Sequence, residues 1–166
     1  MKLKLFLMFV LLSGGLFAQF KIANGTQLSV SNGSFLYANE AIVNEGTLTL
    51  NSGKLVVANN FNNASGTLSA ANATLEVVGG ATQILTFGSN DLVKRVELNK
   101  SANTATVAAG KLTITDGFKS VAGTLDAAEK ILLQSTSTKT AVVEQSTAGT
   151  VNNMVVERYI PAKRAY

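Results

Sequence analysis

The 166-residue chain contains no cysteine and no histidine. Without cysteine it forms neither disulfides nor thiolate metal sites. Without histidine it lacks the commonest general base and the commonest metal ligand at neutral pH. Tryptophan is absent too, proline occurs once, at Pro161, and aromatics make up only 7% of the residues. Charge is sparse, with fourteen basic residues against ten acidic ones. Two of the basic residues, Lys2 and Lys4, lie in a segment expected to be removed, and the rest are near balance. A nucleic-acid partner would need a clustered basic face, so none is expected.

What is present is Gly, Thr, Ser, Asn, Val, Leu and Ala, a mixture suited to many short strands joined by tight turns. The stretch from Ala41 to Gly80 reads as two copies of one 20-residue unit. Glu45-Gly46-Thr47-Leu48-Thr49-Leu50 and Ser52-Gly53-Lys54-Leu55-Val56-Val57 answer to Ser65-Gly66-Thr67-Leu68-Ser69-Ala70 and Asn72-Ala73-Thr74-Leu75-Glu76-Val77. A weaker copy from Lys21 extends the columns to Leu28, Leu48 and Leu68; Val30, Leu50 and Ala70; Phe35, Leu55 and Leu75; and Tyr37, Val57 and Val77. Residues two apart share a strand face, so these columns are expected to point inward. Turns are expected at Asn32-Gly33, Ser52-Gly53 and Asn72-Ala73, and again near Asn24-Gly25, Glu45-Gly46 and Ser65-Gly66.

A fixed period of this length marks a solenoid, whose units bury their apolar faces only by stacking. The expected fold is all-β: a parallel β-solenoid or β-helix of about 20-residue coils, right-handed by the crossover preference. The alternative is an antiparallel β-sandwich in which the Gly46-to-Gly53 spacing marks hairpins, although hairpins do not require apolar columns to recur. The pattern blurs from Val78 to Thr106, which either continues the coil or interrupts it as an inserted loop. Gly110 and Gly123 then repeat the spacing of Gly53 and Gly66, suggesting a second block offset from the first. Six coils between residues 21 and 140, at roughly 4.8 Å each, would make a rod of about 29 Å.

Three segments follow: 1–18 as a secretory leader, 19–140 as the solenoid, and 141–166 as a terminal strand region. The leader has an early positive charge, an apolar run from Leu5 to Leu12 and a small-residue cleavage site after Ala18. Its apolar core is shorter than the roughly 20 residues of a membrane span, so no span is expected once it is removed. Val151 to Ile160 reads as one longer strand, without a cap, so the chain is expected to continue into a longer protein. An isolated open end would favour self-association.

The densest charge lies between Asp91 and Lys100, where Asp91, Lys94, Arg95, Glu97 and Lys100 form the candidate binding patch. Thr47, Thr49, Thr67 and Ser69 would make outward hydroxyl ladders able to meet an ordered lattice. Asn24 with Asn44, and Asn32 with Asn72, would make internal amide ladders or serve as turn formers. No catalytic residue, metal ligand or cofactor site emerges. Polysaccharide-cleaving β-helices use clustered carboxylates, whereas Asp116 and Asp126 are half a coil apart. A glycosidase pair needs two carboxyls a few ångströms apart.

Gly80-Ala81-Thr82-Gln83, Val96-Glu97-Leu98-Asn99-Lys100-Ser101, Gly110-Lys111-Leu112-Thr113-Ile114 and above all Val155-Val156-Glu157-Arg158-Tyr159-Ile160-Pro161 with Arg164-Ala165-Tyr166 carry a resemblance. Residues 78 to 166 resemble a segment of large secreted Bacteroidota proteins exported by the type IX system. The resemblance implies a surface-exposed stalk or adhesin-like scaffold, with extracellular polysaccharide or cell-surface components as partners. The expected function is therefore non-enzymatic and structural; the alternative is a carbohydrate-binding or polysaccharide-processing module acting through Lys94 and Arg95.

Overall fold

The computed structural model describes residues 18–144 and 147–160. Residues 1–17 of the expected leader, and Pro161 onward, lie outside the described residues. Short runs of alternating small-polar and branched apolar residues form strands with one face inward, as in β5 (Thr47–Leu50), where Leu48 and Leu50 are buried and Thr47 and Thr49 half-buried. Every strand pair in the ladder is parallel, and each coil contributes three strands, so the rod has three faces.

Face one stacks β2 (Gln27–Val30), β5, the start of β8 (Thr67–Gly79), the start of β10 (Asp91–Ala109), the start of β11 (Leu112–Asp126), β12 (Ile131–Leu133) and β15 (Val155–Val156). Face two stacks β3 (Phe35–Ala38), β6 (Lys54–Val57), the later parts of β8, β10 and β11, and β13 (Val142–Val143). Face three stacks β1 (Gln19–Ile22), β4 (Ala41–Asn44), β7 (Phe61–Asn62), β9 (Gln83–Thr86), the ends of β10 and β11, and β14 (Thr150–Asn152). The protein is a parallel β-solenoid of about six coils.

One apolar core fills the rod. Leu28, Leu48 and Leu68 stack on face one, Leu55 on Leu75 on face two, and Ile42, Phe61, Leu85 and Val107 on face three. Phe61 also meets Phe87, with ring centroids 5.7 Å apart. Each such Leu or Phe contributes about 1.5–3 kcal/mol by leaving water.

The sandwich alternative is excluded, because the sole antiparallel bridge among the described residues joins Ser135 to Thr140 within one loop. The stretch from Val78 to Thr106 continues the coil: Val96 stacks on Leu75, Leu98 on Val77, and Ala105 on Gln83. Its period is hidden because corner lengths differ. Stacked residues are 19 apart from Ile114 to Leu133, 24 apart from Phe61 to Leu85, and 26 apart from Leu125 to Val151.

Four local expectations change. The Asn32-Gly33 corner holds one residue more than Ser52-Gly53, so Leu36 and Ala38 stack on Leu55 and Val57 while Phe35 and Tyr37 turn outward. Asn72-Ala73 is not a break but lies within β8, with Ala73 buried. Gly110 precedes Leu112, which stacks through Asp91 onto face one, so it corresponds to Gly66 rather than Gly53 and the proposed block offset does not hold. Val151 to Ile160 is not one strand, because Asn153, at φ 55°, separates β14 from β15.

At Gly66, in the corner before face one, glycine answers to crowding rather than to dihedral freedom. A Cβ on Gly66 would stand 2.5 Å from the Asn44 carbonyl oxygen of the coil below. We expect Gly66→Ala to destabilise the fold by about 1–3 kcal/mol, as overpacking does. Gly80→Ala, whose nearest neighbour would be the Ser101 side chain at 3.1 Å, should cost less than half as much. Urea midpoints of the two variants check this.

Candidate functional site

Strand alternation through a corner decides where the charged stretch points. On β10, Val93, Val96 and Leu98 face inward, leaving Arg95 and Glu97 half-exposed on face two and Lys94 exposed at the corner. Asp91 and Lys100 face the interior, 7% and 1% exposed. The five residues expected to form one binding patch therefore do not form it, since two of them are internal.

Asp91 ends a polar chain through three coils. Asn44 donates from Nδ2 to Asn63 Oδ1 at 2.6 Å and to the Thr67 carbonyl at 3.0 Å. Asn63 Nδ2 donates in turn to Asp91 Oδ2 at 2.7 Å, and the Gly88 N–H to the same oxygen at 2.8 Å. Burial pushes the Asp91 carboxyl above its usual 3.8, against the opposing pull of Gly88 and Asn63. Asn44 stacks on Ile22, not on Asn24, so the internal amide ladder is built from Asn44 and Asn63 instead. Asn32 and Asn72 are exposed.

A second internal chain holds the corner between faces two and three. Lys100 Nζ donates to Gln83 Oε1 at 2.6 Å and to the carbonyls of Ala81 and Gly79 at 2.8 and 3.3 Å. Gln83 Nε2 continues to the carbonyls of Val57 and Asn59 at 3.1 and 3.0 Å. Burial lowers the Lys100 ammonium below its usual range, while three acceptors match its three N–H groups. Nothing in the local sequence separates these interior residues from exposed ones; the stacking register does.

The outer charges pair from coil to coil. Lys54 Nζ lies 3.0 Å from both Glu76 and Glu97, which stack on one another. Burial lowers the Lys54 ammonium, but the two carboxylates outweigh it and hold it above its usual value. Arg95 pairs with Glu144, Lys21 with Glu45 and Lys139 with Asp116. Such partly exposed pairs are worth about 0.2–1 kcal/mol each. Asp126, on face three, accepts from the Ala128 N–H and from Asn153 Nδ2, so it shares no face with Asp116. No group of three acidic side chains is placed to hold a metal ion among the described residues.

The hydroxyl ladder is short. Gln27, Thr47 and Thr67 align, as do Ser29, Thr49 and Ser69, but the next positions in the second column are Leu92, Thr113, Leu132 and Val155. The outward aromatics of the first coil were missed, because the one-residue corner excess that exposes them reads as part of the period. Phe35 and Tyr37 are 71% and 52% exposed. Tyr37 also walls a cleft of about 260 Å³ with Phe20, Asn39 and Glu40.

Comparison with protein-family models, curated proteins and solved structures found no match to this chain.

Both interior chains end in a charged group that burial disfavours as an ion. Asp91 is a cost when ionised, because its folded value stands above the unfolded one and the folded chain binds the proton more tightly. That cost is present at neutral pH and fades as pH falls through the raised value. Asp91→Asn, which keeps an acceptor for Gly88 and Asn63, should therefore match or exceed wild-type stability at pH 7, with any advantage shrinking toward pH 4 in urea titrations. Lys100→Met leaves the buried Gln83 Oε1 without its donor, together with the partly exposed carbonyls of Ala81 and Gly79, and should cost about 1–3 kcal/mol in the same assay at pH 7.

Proposed function

We propose that this chain is a non-enzymatic, secreted or cell-surface β-solenoid acting as a stalk or adhesin-like scaffold. The observation that carries this reading is where its charges go. Asp91 and Lys100 lock the interior, and Lys54, Glu76, Glu97, Arg95 and Glu144 tie one coil to the next. Among the described residues no two carboxylates are seen facing each other in a cleft without a cation between them, as acid–base chemistry on a glycosidic bond would require. The leader-like start and the resemblance to type IX cargo support an extracellular setting.

Self-association through the last coil belongs to the same reading. Val142, Val143, Val155 and Val156 are 39–61% exposed there, and β13, β14 and β15 are each hydrogen-bonded on one side among the described residues. Exposed strand edges of this kind invite pairing with another chain.

Several measurements test the proposal. The exported protein should begin at Gln19 by mass spectrometry of its N-terminal peptide. Small-angle scattering should give a rod of about 29 Å for six coils, and neutral or acidic polysaccharides should show no new reducing or unsaturated ends after incubation. Cleavage that disappears on replacing Asp116 or Asp126 would overturn the non-enzymatic reading. Sedimentation velocity should show concentration-dependent association that Val143→Lys with Val156→Lys abolishes.

A further inference from the structure

The large apolar side chains left in water gather at the two ends of the rod. Phe20, Phe35 and Tyr37 stand in the first coil, and Val142, Val143, Val155 and Val156 in the last. Among the described residues, Ile84 is the one exposed side chain of this kind that belongs to neither end. Each end is also a strand edge. Among the described residues β1, β2 and β3 at the first coil are hydrogen-bonded on one side, as are β13, β14 and β15 at the last.

The exposed residues of one end belong to columns that begin at the other. On the outer surface of face two, one column starts at Phe35, passes through Lys54, Thr74, Arg95 and Gly117, and finishes at Val142. Its two end members are 71% and 51% exposed. The adjacent inward column starts at Leu36, passes through Leu55, Leu75, Val96 and Phe118, and finishes at Val143. Leu55, Leu75, Val96 and Phe118 are buried, whereas Val143, with no coil stacked beyond it, is 61% exposed. On face three Phe20 opens the interior column that continues in Ile42 and Phe61, and is 36% exposed. The last coil, for its part, holds a cleft of about 290 Å³ lined mainly by Phe118, Val143, Val151, Met154 and Val156.

We infer that the last coil of one copy takes the first coil of a second copy, head to tail, so that the columns of one rod run on into the next. This joint rests on the self-association proposed above and gives the last coil its partner. One further coil step sets Phe35 of the second copy over Val142 and Leu36 over Val143, with the Phe20 ring turned toward the cleft. Both apolar ends are covered at once, in the parallel register that every other coil already follows. A tail-to-tail pair would set valine against valine across antiparallel edges and leave Phe20, Phe35 and Leu36 in water. The α-ammonium of a chain beginning at Gln19 stays at the rim, because Gln19 alternates with inward Phe20 and lies on the outer surface of face three above Ala41. A joint between two different surfaces does not close on itself, so it builds a filament rather than a dimer.

Cross-linking tests the joint cleanly, since the chain has no cysteine of its own. The exported chain is prepared as Phe35→Cys and, separately, as Val142→Cys, both at exposed positions outside the core. Directly stacked residues lie about 4.8 Å apart, within the Cα separation that a disulfide spans. On oxidation with diamide, an equimolar mixture should form covalent dimers at least about tenfold faster than either variant alone. The double variant should form a ladder of multimers beyond the dimer, because its two thiols stand about 24 Å apart within one chain and cannot join there. Phe35→Cys mixed with Val155→Cys, at the same end but on face one, should react at least about tenfold more slowly than with Val142→Cys. If Val142→Cys alone cross-links as fast as the mixture, the head-to-tail joint is overturned while self-association through the last coil stands. No cross-linking in the mixture also overturns the joint, and a wild-type chain that sediments as a monomer at every concentration removes the self-association with it.

Discussion

Parallel stacking at a fixed rise of about 4.8 Å is the constraint on which everything else in this protein depends. Once one coil is laid over another, each side chain inherits the environment of the residue beneath it. A leucine over a leucine extends the core, as Leu68 does over Leu48. A cation beside two stacked acids relieves both, as Lys54 does for Glu76 and Glu97. The same rule governs the backbone, since the Asn44 carbonyl passes so close to the next coil that only a residue without a side chain fits at Gly66.

The interior polar residues follow from that rule rather than breaking it. A buried amide or charge is tolerated where its hydrogen bonds are met, and the neighbouring coils meet most of them here, with Asn44 Oδ1 left over. Asn63 bridges Asn44 below and Asp91 above, and Gln83 joins the Lys100 ammonium to carbonyls of the coil beneath. Each chain is specific to one register, because a slip by a single residue would turn these groups outward and the apolar ones with them. The polar chains therefore specify alignment, while the leucine and valine columns supply most of the stabilisation.

Fold and site were unequally legible in the sequence. The columns Leu28–Leu48–Leu68 and Leu55–Leu75 were readable because consecutive coils there share a 20-residue length. Phe35 and Tyr37 were misplaced by one extra corner residue, which reverses inside and outside at period two without disturbing composition. Between Val78 and Thr106 the stacking persists but corner lengths change, so a fixed period cannot find it. The charged stretch does not form one patch for a related reason: linear proximity from Asp91 to Lys100 says nothing about direction once the strand bends round a corner. Asp91 and Lys100 look like surface residues until the coils on either side are in place.

The variable corners have a mechanical consequence. The hydrogen bonds of the ladder run along the rod, so tension between its ends loads them one coil at a time rather than all together. A released coil of about 20 residues spans up to roughly 70 Å when extended, against about 4.8 Å when stacked. The rod is thus a store of contour length, released in steps whose size varies with the corners, from the short coil ending at Leu133 to the long one ending at Val151. With no disulfide across any coil, nothing covalent limits that release.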